Sequence, residues 1–403
     1  MKVALVSSLY EPLGYGGAER VAQDVAEGLA ALGHELHVIT LGRDAEAMEQ
    51  RNGVQVHRLR LRNLYWPFPV ARAGFPAKVA WHAVDAYNPA MGRELGRLLD
   101  RLRPEVVNTH NLAGFSAAAW REAARRGLPL VHTLHDHYLL CSYSTMFRDG
   151  RNCASPCLRC RAASAPRRAL ARHVDAVIGV SRYILERHRA AGLFARAHAS
   201  VVAAALPPAA PRAEADAGPR ALRIGFLGGL VPAKGADRLL EAYLALPAGK
   251  AELHVAGGGD PEFEAALRRR AGGRADVRWH GVVRSDEFLP ALDLLVVPSR
   301  VHEAMGRVVL EAFRHGLPVV AARRGGLPEL VPEAAGWLYE PDDGAQLPKI
   351  LREIVAQPAL LGERRAAALA TGARADPRTV PEGYLAAYRA ASDAAARAAI
   401  ASR

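Results

Sequence analysis

Short apolar runs alternate with longer amphipathic stretches along most of the chain. Residues 2–8 are typical of a short buried strand, and residues 21–32 then carry apolar side chains at helical spacing. Gly33 follows as a helix stop, and residues 35–40 form the next apolar run. A strand, a helix and a second strand within about 40 residues predict a right-handed βαβ unit.

The same alternation continues through both halves of the chain. Further strands are predicted at 106–109, 130–133, 176–179, 223–227, 252–256, 277–280, 294–297 and 318–321. We therefore expect an α/β protein with two Rossmann-like, doubly wound domains that face a cleft. A proline-rich interruption indicates the linker, and a helix is expected at the end. The expected division is a first domain over 1–205, a linker over 206–221, a second domain over 222–375 and a C-terminal helix over 376–403.

Composition agrees with two well-packed domains. The chain has 403 residues, of which 50% are hydrophobic and 6% aromatic, as in a soluble globular protein. No apolar run reaches the roughly 18 residues that cross a bilayer, so we expect a cytoplasmic protein. The formal charge is +12, and residues 1–205 hold 27 Lys and Arg against 17 Asp and Glu. Such a surface suits anionic lipid or a phosphorylated acceptor, and an arginine-rich genome explains it as well. We expect no nucleic-acid partner.

The most informative segment begins where a predicted strand ends, at Pro298. Loops that leave parallel strands at this edge commonly bind ligands. Gly306 permits close approach of the backbone, and a helix from about Arg307 to His315 is predicted to start beside it. Glu303 in the loop and Glu311 in the helix could then contact two parts of one ligand. Two glutamates near a helix start are also typical of a cap and a solvated face.

This segment resembles the glutamate-x7-glutamate signature of retaining glycosyltransferases of family 4, which have the GT-B fold. The resemblance covers nearly the whole chain and includes GGAER near the start, HTLHD in the first half and GFLGGLVPAKG opening the second half. It implies sugar transfer from a nucleoside diphosphate donor to a hydroxyl acceptor, and a last helix that returns to the first domain. The donor-binding residues that it implies are Glu303 for the sugar, Glu311 for the ribose, the backbone of Arg307 and Val308 for the diphosphate, and the adjacent Met305 and Gly306.

A glycine-bearing loop with Lys234 lies between a predicted strand and a predicted helix. Its ammonium group could neutralise a diphosphate, although a lysine in such a loop is commonly solvated. By the resemblance, Lys234 binds the diphosphate together with an arginine. Gly229 stands at that arginine's position, so a bidentate donor is missing. Arg300 and Arg307 are the candidates to replace it.

His135 ends a predicted strand at the expected cleft edge of the first domain. It could donate a hydrogen bond to a sugar hydroxyl, or it could be a structural histidine. By the resemblance, His135 contacts the donor sugar, and Gly16 and Gly17 approach the diphosphate. The two glycines also fit an ordinary turn before a helix. His110 is a candidate on the acceptor side.

All four cysteines, Cys141, Cys153, Cys157 and Cys160, lie in one segment. Four thiols in a loop-rich stretch predict a structural zinc site, although the spacing is looser than that of paired C-x2-C knuckles. Reduced thiols and a disulfide are the alternatives, and a cytoplasmic setting disfavours the disulfide. Bacterial members of the family that the chain resembles carry a similar cysteine insertion after the HD motif.

Cations and apolar side chains alternate over 58–62, and aromatic residues follow. Arg58, Arg60 and Trp66 are therefore candidates for contact with a lipid-linked acceptor, which would place the protein at the inner face of a membrane. The alternation is equally typical of an amphipathic strand.

Two other functions fit the same sequence. A GT-B sugar-nucleotide epimerase or phosphorylase would share the fold and much of the pocket, and a non-catalytic nucleotide-sugar-binding protein would fit the loss at Gly229. For the transferase, no cofactor is expected in catalysis, because no D-x-D motif is present and backbone amides with Lys234 can stabilise the leaving diphosphate.

Overall fold

The computed structural model of the chain describes residues 1–13, 16–43, 46–68, 74–207, 209, 220–374, 376 and 378–401. They form two compact units. The first contains the described residues of 1–146, 154–204 and 377–403, and the second those of 147–153 and 205–376. Residue 208 and residues 210–219 of the expected linker lie outside the described residues, as does residue 375 at the expected end of the second domain.

The strands follow the predicted series and add several short ones. They are β1 (Lys2–Val6), β2 (Glu35–Gly42), β3 (Ala47–Arg51), β4 (Val54–Arg60), β5 (Val106–Thr109), β6 (Leu130–Leu134), β7 (Phe147–Arg148), β8 (Arg151–Asn152), β9 (Ala176–Gly179), β10 (His198–Val201), β11 (Leu222–Leu227), β12 (Ala251–Ala256), β13 (Val277–Gly281), β14 (Leu294–Val297), β15 (Val319–Ala322) and β16 (Gly336–Tyr339).

Most helices lie between these strands, as expected for βα repeats, and the last three follow β16. They are α1 (Gly17–Ala31), α2 (Phe75–Ala86), α3 (Pro89–Leu102), α4 (Ala118–Arg125), α5 (Leu158–Leu170), α6 (Arg182–Ala190), α7 (Ala236–Leu244), α8 (Pro261–Ala271), α9 (Ser285–Phe288), α10 (Arg307–Phe313), α11 (Leu327–Leu330), α12 (Gln346–Ala356), α13 (Ala359–Arg374) and α14 (Thr379–Ala401).

The first unit is built on an eight-stranded sheet in the order β10-β9-β6-β5-β1-β2-β4-β3. Its neighbouring strands are parallel except for the antiparallel pair β3 and β4. The strand order reverses between β1 and β5, so the loops after these two strands lie at the topological switch point. Helix α14 packs in this unit, where Asn108 in β5 donates a 2.8 Å hydrogen bond to the hydroxyl of Tyr388.

The second unit is built on six parallel strands in the order β13-β12-β11-β14-β15-β16. Apolar side chains of β14 alternate between two cores, with Leu294 and Val296 in one and Leu295 and Val297 in the other. Burial on both faces explains the continuous apolar runs in the sequence. The order reverses between β11 and β14, so their following loops meet at the switch point. The predicted fold class, α/β with two Rossmann-like sheets, is confirmed.

A buried ion pair anchors helices α2 and α5 in the first unit. Arg167 donates to Asp85 at 3.1 Å, and both side chains are at most 1% exposed. Asp85 also accepts hydrogen bonds from the Tyr138 hydroxyl at 2.5 Å and from the Gly114 N–H at 2.6 Å. The Arg167 guanidinium lies 3.7 Å from the centroid of the Tyr138 ring. The Asp85 carboxylate thus joins three segments of the first unit: helix α5 through Arg167, the loop at Gly114, and the residues after β6 through Tyr138.

Candidate functional site

The Lys234 ammonium and the Glu303 carboxylate form the central pair of the second unit. Lys234 Nζ lies 2.7 and 2.9 Å from the two carboxylate oxygens, and the Ser299 hydroxyl donates to Oε1 at 2.6 Å. Burial alone would raise the pKa of Glu303, but the Lys234 charge and these hydrogen bonds outweigh it and lower the pKa. Glu303 is therefore an anion at neutral pH, and Lys234 is not simply a solvated lysine.

Backbone hydrogen bonds hold the two loops against each other. The carbonyl oxygen of Ala233 accepts from the N–H groups of Arg300 and Val301, at 2.9 and 3.1 Å. The Glu303 carbonyl accepts from the Gly326 N–H at 2.8 Å. Backbone hydrogen bonds between the loops after β11 and β14 therefore bring Lys234 and Glu303 together. The Lys234–Glu303 ion pair further stabilises this arrangement of the two loops.

Glu311 lies one turn into α10, which starts directly after Gly306. Gly306 has φ of 103°, a conformation that disfavours other residues. The helix ends at Phe313, slightly earlier than predicted, and the chain turns at Gly316. Arg307 Nε donates to Glu311 Oε1 at 3.2 Å. Met305 is buried, and Val308 is the second residue of the helix.

The two arginines that are candidates to replace the family arginine both have other contacts. Arg307 pairs with Glu311, and Arg300 lies 3.8 Å from Asp237 and donates to the Gly150 carbonyl at 3.2 Å. A Cβ added at Gly229 would meet only ordinary contacts, at 3.9 Å from Val231 and 4.0 Å from a backbone oxygen. Position 229 therefore accepts a Cβ atom without a clash.

In the first unit, His135 is paired with His110. Their nitrogens Nε2 and Nδ1 are 2.8 Å apart, and Asn108 donates to the other nitrogen of His110 at 3.2 Å. This places the proton of His110 on Nδ1 and leaves the proton of His135 on its own Nδ1. Burial lowers the pKa of His135 to about 3, so the ring is neutral at physiological pH. A neutral imidazole can bind a sugar hydroxyl without introducing charge.

His110 itself is 2% exposed, and its ring also stacks on Tyr384. It therefore contacts Asn108, His135 and the C-terminal helix, which suits a residue that orients His135. The acceptor-side role predicted for His110 stays a prediction. Asp136 directly follows His135 in the chain, and burial raises the pKa of its carboxyl group to about 6. The sequence did not indicate this raised pKa.

Other candidate residues of the first unit lie at the start of helix α1 and on strand β4. Gly16 adopts an extended conformation immediately before α1, and Gly17 is the first residue of that helix. Arg58 is largely buried in β4 and donates to Glu49 at 2.5 Å. Arg60 is exposed at the end of β4.

The aromatic residues beyond β4 pack against one another. Trp66 packs edge-to-face on Phe68, with ring centroids 5.5 Å apart. Its predicted role on the acceptor side stays a prediction. Within the part of the chain that the structure describes, no helix has the length and apolar character needed to cross a membrane.

Three of the four cysteines lie close together. The Cys160 thiol, inside α5, is in hydrogen-bonding contact with Cys141 and Cys157, and burial raises its pKa to about 12. Cys153 follows strand β8, and none of the four forms a disulfide. The segment is less loop-like than predicted, since Cys157 caps α5 and Cys160 lies within it. Among the described residues, no group of three or more His, Cys, Asp or Glu is arranged to hold a metal.

Two family models match the two halves of the chain. Residues 15–206 match Glycosyltransferase Family 4, and residues 221–357 match Glycosyl transferases group 1. An uncharacterized 42.6 kDa protein from the cps region of Klebsiella pneumoniae is 29% identical over 82% of this chain and 87% of its own length.

Solved structures show the same fold at lower identity. Sucrose-phosphate synthase from Thermosynechococcus elongatus has a TM-score of 0.77 at 19% identity, covering 96% of this chain and 98% of its own. Anabaena HepE in complex with UDP-glucose has a TM-score of 0.71 at 18% identity, covering 95% and 97%. The two family matches and the two Rossmann-like sheets show that the chain belongs to the GT-B glycosyltransferases related to family 4.

Proposed function

We propose that the protein is a retaining glycosyltransferase that moves a sugar from a nucleoside diphosphate to a hydroxyl acceptor. The observation that carries the proposal is the Lys234–Glu303 pair at the switch point of the second sheet. Lys234 remains partly exposed, so its ammonium can neutralise charge on a departing diphosphate. The Glu303 carboxylate would accept hydrogen bonds from hydroxyl groups of the sugar. Glu311, eight residues later in the chain, would accept them from the ribose.

Retention requires that the new bond form on the same face from which the diphosphate leaves. As the bond from the anomeric carbon to the phosphate oxygen breaks, the acceptor oxygen attacks and its proton passes to that phosphate oxygen. This route needs no separate protein base. The backbone of Arg307 and Val308, with Met305 and Gly306 beside it, would hold the diphosphate, while His135 contacts the sugar from the first unit.

A thermal-shift screen of UDP-, GDP-, ADP- and TDP-sugars tests the donor class, because a bound ligand raises the melting temperature by mass action. UDP-glucose is the first candidate, since the similar HepE structure contains it. The product's anomeric configuration, measured by NMR, then tests retention. An inverted product would refute the mechanism, and phosphate-dependent turnover without an acceptor would indicate a phosphorylase or epimerase.

Replacing Gly229 by arginine is expected to tighten donor binding by roughly tenfold, because a charge-assisted hydrogen bond to the diphosphate contributes about 1.5–3 kcal/mol. A Cβ atom at position 229 meets only ordinary van der Waals contacts. Calorimetric titration with the selected donor measures it. Gly229→Met adds similar bulk without charge and should not tighten binding. Equal donor affinities of Gly229→Arg and Gly229→Met would show that the absence of an arginine at position 229 does not weaken donor binding.

We further propose that the acceptor lies at an anionic membrane surface. The first unit carries an exposed patch, here called the α2–α5 patch, formed by Phe75 and Val79, one turn apart on α2, and by Leu158 at the start of α5. Phe75 and Leu158 are 65% and 82% exposed. The Arg159 guanidinium lies 5.9 Å from the Phe75 ring, which joins the two helices and adds positive charge. Apolar side chains with adjacent cations favour binding at an anionic interface.

The double substitution Phe75→Ser and Leu158→Ser is expected to weaken binding to vesicles with anionic lipid at least tenfold, because apolar burial at the interface is lost. Vesicle co-sedimentation measures it. Val282→Ser, at an 84% exposed position of the second unit, is the matched control and should bind like the wild type. Equal binding by the double variant would remove the α2–α5 patch from the proposal.

We also propose that Cys141, Cys153, Cys157 and Cys160 bind about one structural zinc per chain, with no part in catalysis, since thiolate ligands form such sites. Three of the thiols are close, but the described residues hold no preformed metal site, so zinc binding would rearrange this segment. Elemental analysis of protein purified without chelator should find near-stoichiometric zinc, and Cys153→Ser should reduce it. Zinc well below stoichiometry, with four freely reacting thiols, would leave ordinary reduced cysteines as the explanation.

A further inference from the structure

A two-stranded hairpin from the cysteine segment belongs to the second unit. Strands β7 and β8 pair Phe147 with Asn152, and Asp149 and Gly150 form the turn with φ of 50° and 75°. Positive φ at both central residues is typical of the tight turns that join hairpin strands, for which Asp-Gly is a favoured pair. The hairpin therefore has a defined register, which fixes the direction in which Asn152 points.

Asn152 makes two hydrogen bonds to the loop that carries Glu303. Its Nδ2 donates to the Arg300 carbonyl at 2.7 Å, and its Oδ1 accepts from the His302 N–H at 3.0 Å. One carboxamide thus satisfies a backbone acceptor and a backbone donor two residues apart, as a neighbouring strand would. Among side chains of this size only an amide supplies both groups, so aspartate and alanine cannot substitute.

The Arg300 side chain strengthens the same contact. It donates to the Gly150 carbonyl at 3.2 Å, and its guanidinium lies 5.8 Å from the centroid of the Phe147 ring. Both the backbone and a side chain of the loop are therefore held by the hairpin. The Arg300 guanidinium is therefore engaged by the hairpin in addition to its contact with Asp237.

These contacts determine the path of the backbone into Glu303. The peptide after Glu303 is held by the Gly326 N–H, and the earlier part of the loop is held by the Ala233 carbonyl. Asn152 fixes the intervening residue, His302, directly before Glu303. Without Asn152, the His302 N–H and the Arg300 carbonyl lose these partners, and the loop can rotate the Glu303 carboxylate away from Lys234.

We infer that Asn152 is a positioning residue for Glu303 and that it determines affinity for the sugar of the donor rather than for its nucleotide. The inference rests on the proposed function, in which Glu303 contacts the sugar and Glu311 the ribose. Asn152 acts through the loop and does not itself touch the donor.

Asn152→Ala is expected to weaken binding of UDP-glucose about tenfold in calorimetry while UDP binding changes less than twofold. If the thermal-shift screen selects another base, the corresponding diphosphate and sugar form the probe pair. Asn152→Asp should behave like Asn152→Ala, because a carboxylate repels the Arg300 carbonyl. Arg151→Ala, at an exposed position of the same hairpin, should leave both affinities unchanged.

Hydrogen exchange of the free protein tests the contact without any ligand. The His302 amide should exchange at least tenfold faster in Asn152→Ala, with unchanged exchange in β11. Equal losses of UDP and UDP-glucose binding, or unchanged binding and exchange, would overturn the inference. If wild-type protein binds no nucleotide or nucleotide sugar, the proposed function fails and the inference fails with it. Wild-type binding with an unaffected Asn152 variant overturns the inference alone.

Discussion

Replacing Glu303 by glutamine is expected to lower the turnover number roughly 100-fold or more, the range found when a preorganised electrostatic contact is removed from an active site. Glutamine keeps the shape and the hydrogen bond from Ser299 but cannot balance the Lys234 charge. The free energy of unfolding should change by less than about 1 kcal/mol, because Lys234 is partly exposed and such pairs contribute little to stability. Initial rates with the identified donor and urea unfolding measure the two effects.

Lys234→Met tests the other partner of the pair. Glu303→Gln, Lys234→Met and the combined variant form a double-mutant cycle. Their effects on the turnover number should be strongly non-additive because the two side chains are in contact. Because its pKa is lowered, Glu303 should stay ionised below the usual glutamate range, so activity that depends on it falls only at lower pH. A normal rate in Glu303→Gln would contradict the proposed site. A normal rate in Lys234→Met alone would move the cationic role to Arg300 or Arg307.

Arg167→Met is expected to cost the first unit about 3–5 kcal/mol of unfolding free energy, because Asp85 is left as a buried charge without a counter-ion. The remaining donors to Asp85, Tyr138 and Gly114, reduce this cost without removing it. Urea unfolding, followed by a probe in the first unit, measures the loss. Arg161→Met, at an exposed position of the same helix, is the control and should change stability by less than about 0.5 kcal/mol.

Acid pH and a second substitution separate charge burial from lost packing. Burial already raises the pKa of Asp85 although Arg167 lowers it, so in Arg167→Met this pKa should rise further. The variant's deficit should therefore grow as the pH increases from the ordinary aspartate pKa to the raised one, and it should shrink on acidification. Adding Asp85→Asn should recover much of the stability, since the amide oxygen can still accept from the Gly114 N–H and the Tyr138 hydroxyl can turn to accept from the amide NH2. No recovery would show that the loss comes from packing of the Arg167 side chain.

Much of the fold was predictable from local pattern. The predicted strands are present with ends within two residues, because burial on both faces of a parallel sheet leaves continuous apolar runs. The strands β3, β4, β7, β8, β10 and β16 were not in the predicted series, although the alternation over 58–62 indicated the end of β4 as an alternative. Edge strands and a two-residue hairpin bury too few side chains to leave a pattern. The Arg148-Asp149-Gly150 segment carried the turn signal for the hairpin, but the two short strands beside it gave no periodicity.

The sequence by itself determined the two-domain α/β class, the order of its strands along the chain, and the eight-residue spacing of Glu303 and Glu311, because each depends on residues close together in the chain. Only the tertiary structure decided that Glu303 meets Lys234, that His110 is buried behind His135, and that Asn152 holds the peptide before Glu303. Asn152 and His302 are separated by 150 residues. Local periodicity reports which side chains are buried, whereas sheet order and loop path determine which buried or polar groups meet.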